Sequence, residues 1–417
     1  MINRKEGEGL AATDEQNLVL PNAPTRRRRA ADYLGLERNA VIVSAGVFLL
    51  GFGEELWKKF LPKYLEYLGA GPVVIGLFGT CEDFFDAVYQ YPGGWLADRA
   101  GRRRAFLVFI AIASAGYAVY LLSPSWPWAF VGLSLAMAWH SMASPAVFAV
   151  IGDALPRSKR AMGFTLQSIL KRVPAVVSPL VGGALIASFG VLRGVRAGLA
   201  VTLALAAATA LLVLAINIPL RAGEPVNIAG VWRSFHPALK RLLLSDILIR
   251  TCEGLADIFV ILYATNVLGV GLARYGLLVA VQMSTSILVY IPAARLADRV
   301  GRRPFVITTF VCFALYPLAV VMSEGFATLV AAFVVGGLRE VGEPSRKAMI
   351  VDFAQENLRA RTVGLYYLVR SITITPSAAV GGLLWGLSPR APFVTAGIIG
   401  LVGTLVFAAT VEERYAS

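Results

Sequence analysis

Gly93-Gly94-Trp95-Leu96-Ala97-Asp98-Arg99-Ala100-Gly101-Arg102-Arg103-Arg104 lies where one long apolar run stops, turns at a glycine and gives way to another. The phrase returns two hundred residues later as Ala294-Arg295-Leu296-Ala297-Asp298-Arg299-Val300-Gly301-Arg302-Arg303. A short basic connection between two hydrophobic helices, used twice, indicates a membrane protein built from two similar halves. The duplication reaches well beyond the loops. Asp98 and Asp298 are 200 positions apart; Asp153 and Asp352, Pro145 and Pro344, and Val181-Gly182-Gly183 and Val380-Gly381-Gly382 are 199 apart. One six-helix unit has been used twice.

Composition agrees. Hydrophobic residues make up 57% of the 417 residues and charged ones 16%, too little charge for a soluble surface of this size. The net charge of +13 is not a nucleic-acid signature, because the basic residues sit in short loops between apolar runs. Cys81, Cys252 and Cys312 fall inside apolar segments without metal-ligand spacing, so neither a disulfide framework nor a metal site is expected. No cofactor is expected.

Runs near the ~20 residues needed to cross a bilayer predict helices at 40–67, 72–97, 105–123, 127–152, 161–189, 196–219, 240–267, 273–297, 304–323, 326–353, 361–387 and 392–411. The fold class is an all-α membrane protein, twelve transmembrane helices in two pseudo-symmetric six-helix bundles. Residues 1–37 read as a disordered cytoplasmic tail with no cleaved signal, 38–220 as the first bundle, 221–239 as a cytoplasmic linker, 240–411 as the second bundle and 412–417 as a cytoplasmic tail. The linker is expected to include a short surface helix around Trp232, with His236 a solvated loop residue. Alternation of basic and non-basic loops puts both termini in the cytoplasm of a multi-pass plasma-membrane protein.

The G-x-L-A-D-R-x-G-R-R loop, its second copy and the six-plus-six repeat resemble the major facilitator superfamily over essentially everything from residue 38 onward. The resemblance implies two bundles around a central cavity that opens alternately to each side, lined by helices one, four, seven and ten. It also implies a cytoplasmic gate at Gly94, Asp98, Arg99, Gly101 and Arg102, repeated at Asp298, Gly301 and Arg302.

Charge at mid-bilayer costs ~2.5–3.5 kcal/mol per group on insertion scales, so it faces a partner or a wet cavity. Helix one carries Glu54, Glu55, Lys58 and Lys59, spaced for ion pairs 54/58 and 55/59. Helix two carries Glu82, Asp83 and Asp86 with no base in sequence, so one of them is expected to hold a proton near neutral pH. Asp246, Arg250, Glu253 and Asp257 share one stripe of helix seven. Helix ten contributes Arg339 and Glu343, helix five Lys171 and Arg172, and helix eleven Arg370. Glu54 matches Glu253, His140 matches Arg339, and Lys171 matches Arg370 at the 199 offset.

These charges suit a small polar, charged or zwitterionic solute bound by Glu54, Lys58, Lys171, Arg172, Glu253, Asp257, Arg339, Glu343 and Arg370. Coupling protons (or sodium) are expected at Glu82, Asp83, Asp86 and His140. No G-x-x-x-x-G-K-[ST] phosphate loop is present, so an ion gradient rather than a nucleotide drives the cycle. The protein is expected to be a monomeric secondary active transporter and not an enzyme. Two alternatives stay open: a multidrug/proton antiporter and a lipid flippase of the same fold. The exporter motif on helix five keeps Pro179, Gly182 and Gly183 but has Pro174 and Ser178 at its upstream glycine positions, which weighs against the first.

Overall fold

The computed structural model describes residues 38–144, 146–147, 150, 160–215, 232, 235–354 and 359–412. Expectations for the two tails, for most of the 221–239 linker, and for Pro145 and Asp153 lie outside these residues.

The described residues form twelve helical units. Unit α1 spans 38–67, comprising Arg38–Glu55, a 3₁₀ turn Lys58–Phe60 and Leu61–Tyr67. Then come α2 (Pro72–Ala100), α3 (Arg102–Leu122) and α4, which is Trp126–Met137 running into a π turn Ala138–Met142. Helices α5 and α6 run almost end to end within Arg160–Val213 and part at Gly190, whose φ of 78° only glycine adopts freely. The second half repeats the pattern. Unit α7 runs through 237–267 from Pro237–Ala256 to the π turn Tyr263–Val267. It is followed by α8 (Leu272–Val300), α9 (Arg303–Val321), α10 (Phe326–Leu338 and Glu343–Asp352), α11 (Arg359–Ile374 and Ser377–Leu387) and α12 (Ala391–Thr410).

The loops are shorter than the apolar runs suggest. Between α2 and α3 only Gly101 is non-helical, and Gly301 stands at the matching end of α8. Their φ values of 85° and 104° reverse the chain within about one residue, so Asp98 and Asp298 stay helical and Arg102 to Arg104 open the next helix. His236 is the exposed, non-helical residue expected, and it also caps α7, its Nδ1 accepting from the Ala238 backbone N–H at 3.2 Å, a role that satisfies one of the helix's otherwise unpaired amides.

By length and composition alone, six helical stretches among the described residues pass as membrane spans, the run through α5 and α6 counting as one. Those that fail carry the clustered charges (α1, α2 and α7) or are interrupted within (α4 and α10).

Packing follows the repeat. Helix α1 lies on α6 through Gly46 and Gly53, against Thr209 and Thr202, and α7 lies on α12 through Gly403, against Leu248. Helix α3 pairs with α4 as α9 pairs with α10, and the halves meet along α2–α11 and α5–α8. A Cβ on Gly76 would sit 2.4 Å from the Ala378 carbonyl, and one on Gly276 would sit 2.3 Å from that of Pro179. Gly76 and Gly276 are 200 apart, Pro179 and Ala378 199 apart, so both halves of this seam are one contact used twice. At the same end Asn266 Nδ2 donates to Glu66 at 2.6 Å, and Lys63 reaches both Glu66 and Asn266. The end away from the basic loops is thus drawn together.

Candidate functional site

The site begins with a change of pitch. Helix α1 leaves α geometry after Glu55 and tightens into the 3₁₀ turn at Lys58, which rotates the following side chains off the face an α-helix would give them. The expected 54/58 and 55/59 pairs are consequently not made. Glu54 turns into its own bundle, where Tyr117 Oη donates to Oε1 at 2.5 Å and His140 Nδ1 lies 3.8 Å from Oε2. Lys58 instead reaches Glu82 on α2 at 2.9 Å. Glu55 Oε2 is buried without a hydrogen-bond partner.

The acids of α2 are therefore not without bases, as their own helix suggested; the base comes from α1. Asp86 accepts from Ser141 Oγ at 2.7 Å. Asp83 is the exception: among the described residues it has no hydrogen bond or ion pair.

In the second half, the broken middle of α10 aims Arg339 inward. Its Nε donates to the Gly336 carbonyl at 3.0 Å, and its guanidinium sits 3.2 Å from Asp257 and 3.6 Å from Glu253. The same group lies over the rings of Tyr316 and Phe313, at 4.5 and 5.0 Å, a favourable stack for a partly desolvated guanidinium. Arg250 binds Glu253 at 2.7 Å. From the first half, Arg172 on α5 crosses the interface to Ser286 Oγ (2.7 Å), to Glu340 (3.0 Å) and to the ring face of Tyr290 (4.5 Å).

These groups surround a cavity of about 430 Å³ between the two halves. Five carboxylates (Glu82, Asp83, Glu253, Asp257, Glu340) and five cations (Lys58, Lys59, Arg172, Arg250, Arg339) line it, with Tyr275, Phe313 and Tyr316 among its aromatic walls. The volume suits a small organic solute, and the lining is balanced in charge.

Of the residues singled out from the sequence, Lys58, Glu82, Asp83, Arg172, Glu253, Asp257 and Arg339 are brought together at the cavity. Glu54 and His140 lie behind it in a small recess of the first bundle that Lys58 and Glu82 also border. Glu343 and Arg370 lie outside the cavity lining, in a buried knot. There Arg346 holds Asp246 and Glu343 at 2.5 and 2.6 Å, Arg370 approaches Asp246 at 3.5 Å and Tyr366 donates to Asp246 at 3.0 Å. The Lys171 side chain lies outside the described residues, as do those of Asp98 and Asp298. Of the expected gate, Gly94 is half-buried in α2, Arg99 covers the Trp95 ring at 5.3 Å, and Arg302 pairs with Asp352 inside its own half. Ser286 and Tyr316 were not singled out, and Lys59 and Glu340 were read as intramembrane charges without a place in the site. Tyr316 was within reach of the repeat, being Tyr117 moved by 199 positions.

The family model described as Major Facilitator Superfamily matches residues 43–252 and again 242–417. The chain belongs to that superfamily. A major facilitator protein is a membrane-embedded transporter of small molecules and not an enzyme, and the twelve helices in two pseudo-symmetric bundles are its fold. An uncharacterised MFS-type transporter of Methanocaldococcus jannaschii is 22% identical over 402 residues, covering 94% of this chain and 98% of that one. The multidrug resistance protein MdtG of a Rahnella species is 30% identical over 171 residues, covering 39% of this chain and 40% of that one. Among solved structures, a POT family transporter in complex with 5-aminolevulinic acid superposes with a TM-score of 0.74 at 14% identity, covering 90% of this chain and 96% of the other; that likeness is one of fold.

Proposed function

We propose that this transporter moves a small zwitterionic or otherwise charged polar solute by alternating access, driven by protons. The observation that carries the reading is the cavity's charge arrangement. Most lining charges satisfy one another, while Asp83 on α2 and exposed Lys59 on α1 have no ion-pair partner among the described residues. One free carboxylate and one free ammonium in a single chamber can receive the two ends of a zwitterion. A pocket for lipophilic cations would instead need an excess of acids over bases. Lys58, Arg172, Glu253, Asp257 and Arg339 supply the surrounding field, and we assign coupling protons to the carboxylates of α2 together with His140. Glu54 acts on solute through Lys58. Lys171, Glu343 and Arg370 act at one remove, through the helices they anchor. The basic loops and both termini face the cytoplasm of the plasma membrane. The bundles 38–220 and 240–411 move as units about the 221–239 linker, in a monomer.

A thermal-shift panel on the purified protein tests this. Amino acids, short peptides and betaines are expected to contain stabilising members, since a ligand at 100 Kd adds ~2.7 kcal/mol to folded-state stability. Asp83→Asn is expected to weaken the responding zwitterion at least tenfold, ~1.4 kcal/mol, without lowering the melting temperature of the free protein. The relationship to MdtG supports a second reading, a drug/proton antiporter. Stabilisation by tetraphenylphosphonium and not by any zwitterion would select it, and a response confined to lipids would select a flippase.

A further inference from the structure

The duplication places the same three-part cluster in both bundles, but with one difference. In the second bundle Glu253 lies 3.6 Å from Arg339, which covers Tyr316. In the first, the matching residues at the 199 offset are Glu54, His140 and Tyr117, with Glu54 bonded to Tyr117 and 3.8 Å from His140. Arginine keeps its charge at every working pH, whereas histidine gains or loses it near neutrality. One cluster is therefore a fixed charge and its twin a conditional one.

Beside the conditional cluster stands Lys58, which borders both the recess holding Glu54 and the central cavity. It is one α-helical turn from Glu54 yet sits on Glu82, 2.9 Å away, because the chain there is a 3₁₀ turn. We propose that Lys58 is shared between Glu54 and Glu82, and that a proton on His140 decides which carboxylate it takes. A protonated His140 would balance Glu54 and leave Lys58 on Glu82, the pair seen at 2.9 Å. When His140 gives up its proton, Glu54 keeps only the Tyr117 hydrogen bond. Lys58 then returns to Glu54 as the turn regains α pitch, and Glu82 is left bare toward the cavity. The bare carboxylate joins Asp83 in holding the ammonium end of a solute. The proton and that ammonium group are thus alternative cargoes, which makes the protein an exchanger of protons for amine-bearing solutes. The other ionisable groups facing these residues are Tyr117 and Tyr120 of α3 and, through Ser141, Asp86 of α2, with Lys59 of α1 and Asp83 of α2 beside the Lys58–Glu82 pair; Glu55 adjoins on α1.

This inference rests on the proposed cavity reading, but its test needs neither solute nor transport. The chain has two histidines, His140 and His236, so in full-length protein labelled with 13C-histidine, His236→Asn leaves the His140 resonance alone to be titrated. Glu54→Gln is expected to weaken proton binding at His140 at least tenfold. Glu82→Gln is expected to weaken it at least threefold, because the released Lys58 moves onto Glu54. In a Lys58→Gln background the Glu82→Gln effect falls below 1.5-fold, and Lys58→Arg restores it; Lys58→Met serves if the glutamine variant does not fold. An unchanged titration in Glu54→Gln, or a Glu82→Gln effect of full size without a cation at position 58, overturns the proposal. A switch that behaves as described beside a cavity that binds none of the panel compounds overturns the solute reading alone.

Discussion

Gly276→Leu is expected to lower transport at least fivefold while the protein still inserts and folds. The seam at this end exists because Gly276 brings α8 against the Pro179 carbonyl of α5 with no room for a Cβ, which would lie at 2.3 Å. A backbone carbonyl cannot rotate aside as a side chain can, so a leucine must hold the two helices apart. Overpacking of this kind costs ~1–3 kcal/mol, and an alternating-access cycle shifted by that amount changes its state populations ~5- to ~150-fold. Because the clash is confined to the arrangement closed at this end, the substitution disfavours one state rather than the fold. Gly76→Leu on α2, facing the Ala378 carbonyl, is expected to act in the same way. Gly271→Leu is the control: nothing lies within 4 Å of a Cβ there, and transport is expected to stay within twofold. Uptake into proteoliposomes, normalised to correctly folded protein, reads all three; a fully active Gly276→Leu carrier would contradict the seam.

The second large effect falls on stability. Asp246 and Arg346 are 0% and 1% exposed and face each other at 2.5 Å, with Glu343, Arg370 and Tyr366 completing the knot. Removing one member of a buried pair leaves the other charge without compensation, which costs ~3–5 kcal/mol. Asp246→Ala is therefore expected to unfold in detergent at a far lower denaturant concentration than the parent. A buried pair replaced as a unit by apolar residues of similar volume is often neutral; because Glu343 keeps Arg250 while Arg370 loses Asp246, Asp246→Leu with Arg346→Leu is expected to recover part of the loss. A loss below ~1 kcal/mol in the single variant would mean that the knot is hydrated rather than dry.

What the sequence disclosed and what it withheld divide along a physical line. The offset of 199 to 200 residues identified the repeat, and the positive-φ glycines stand where the apolar runs break. The charged stripe of α7 does point inward, since helical periodicity fixes the face a residue occupies. Periodicity does not fix the pitch, and the 3₁₀ turn at Lys58–Phe60 carried Lys58 away from Glu54 to Glu82. Nor does one helix reveal the neighbour's contribution: the base for the α2 acids sits on α1. Facing inward also does not distinguish a wet chamber from a dry core. Arg339 and Arg370 looked equivalent in sequence, yet Arg339 lines the cavity while Arg370 is tied to Asp246.

If the α2–α11 and α5–α8 seams shut the end away from the basic loops, the chamber between the two bundles is reached from the basic-loop end. Met283 lines that chamber on α8. With Cys81, Cys252 and Cys312 replaced by alanine, a single Met283→Cys can be exposed to a membrane-impermeant thiol reagent from either face of an oriented vesicle. Labelling at least tenfold faster from the basic-loop face is the expected result, with Gly276→Leu raising the rate from the other face. No labelling from either face, or equal slow labelling from both, would contradict the account.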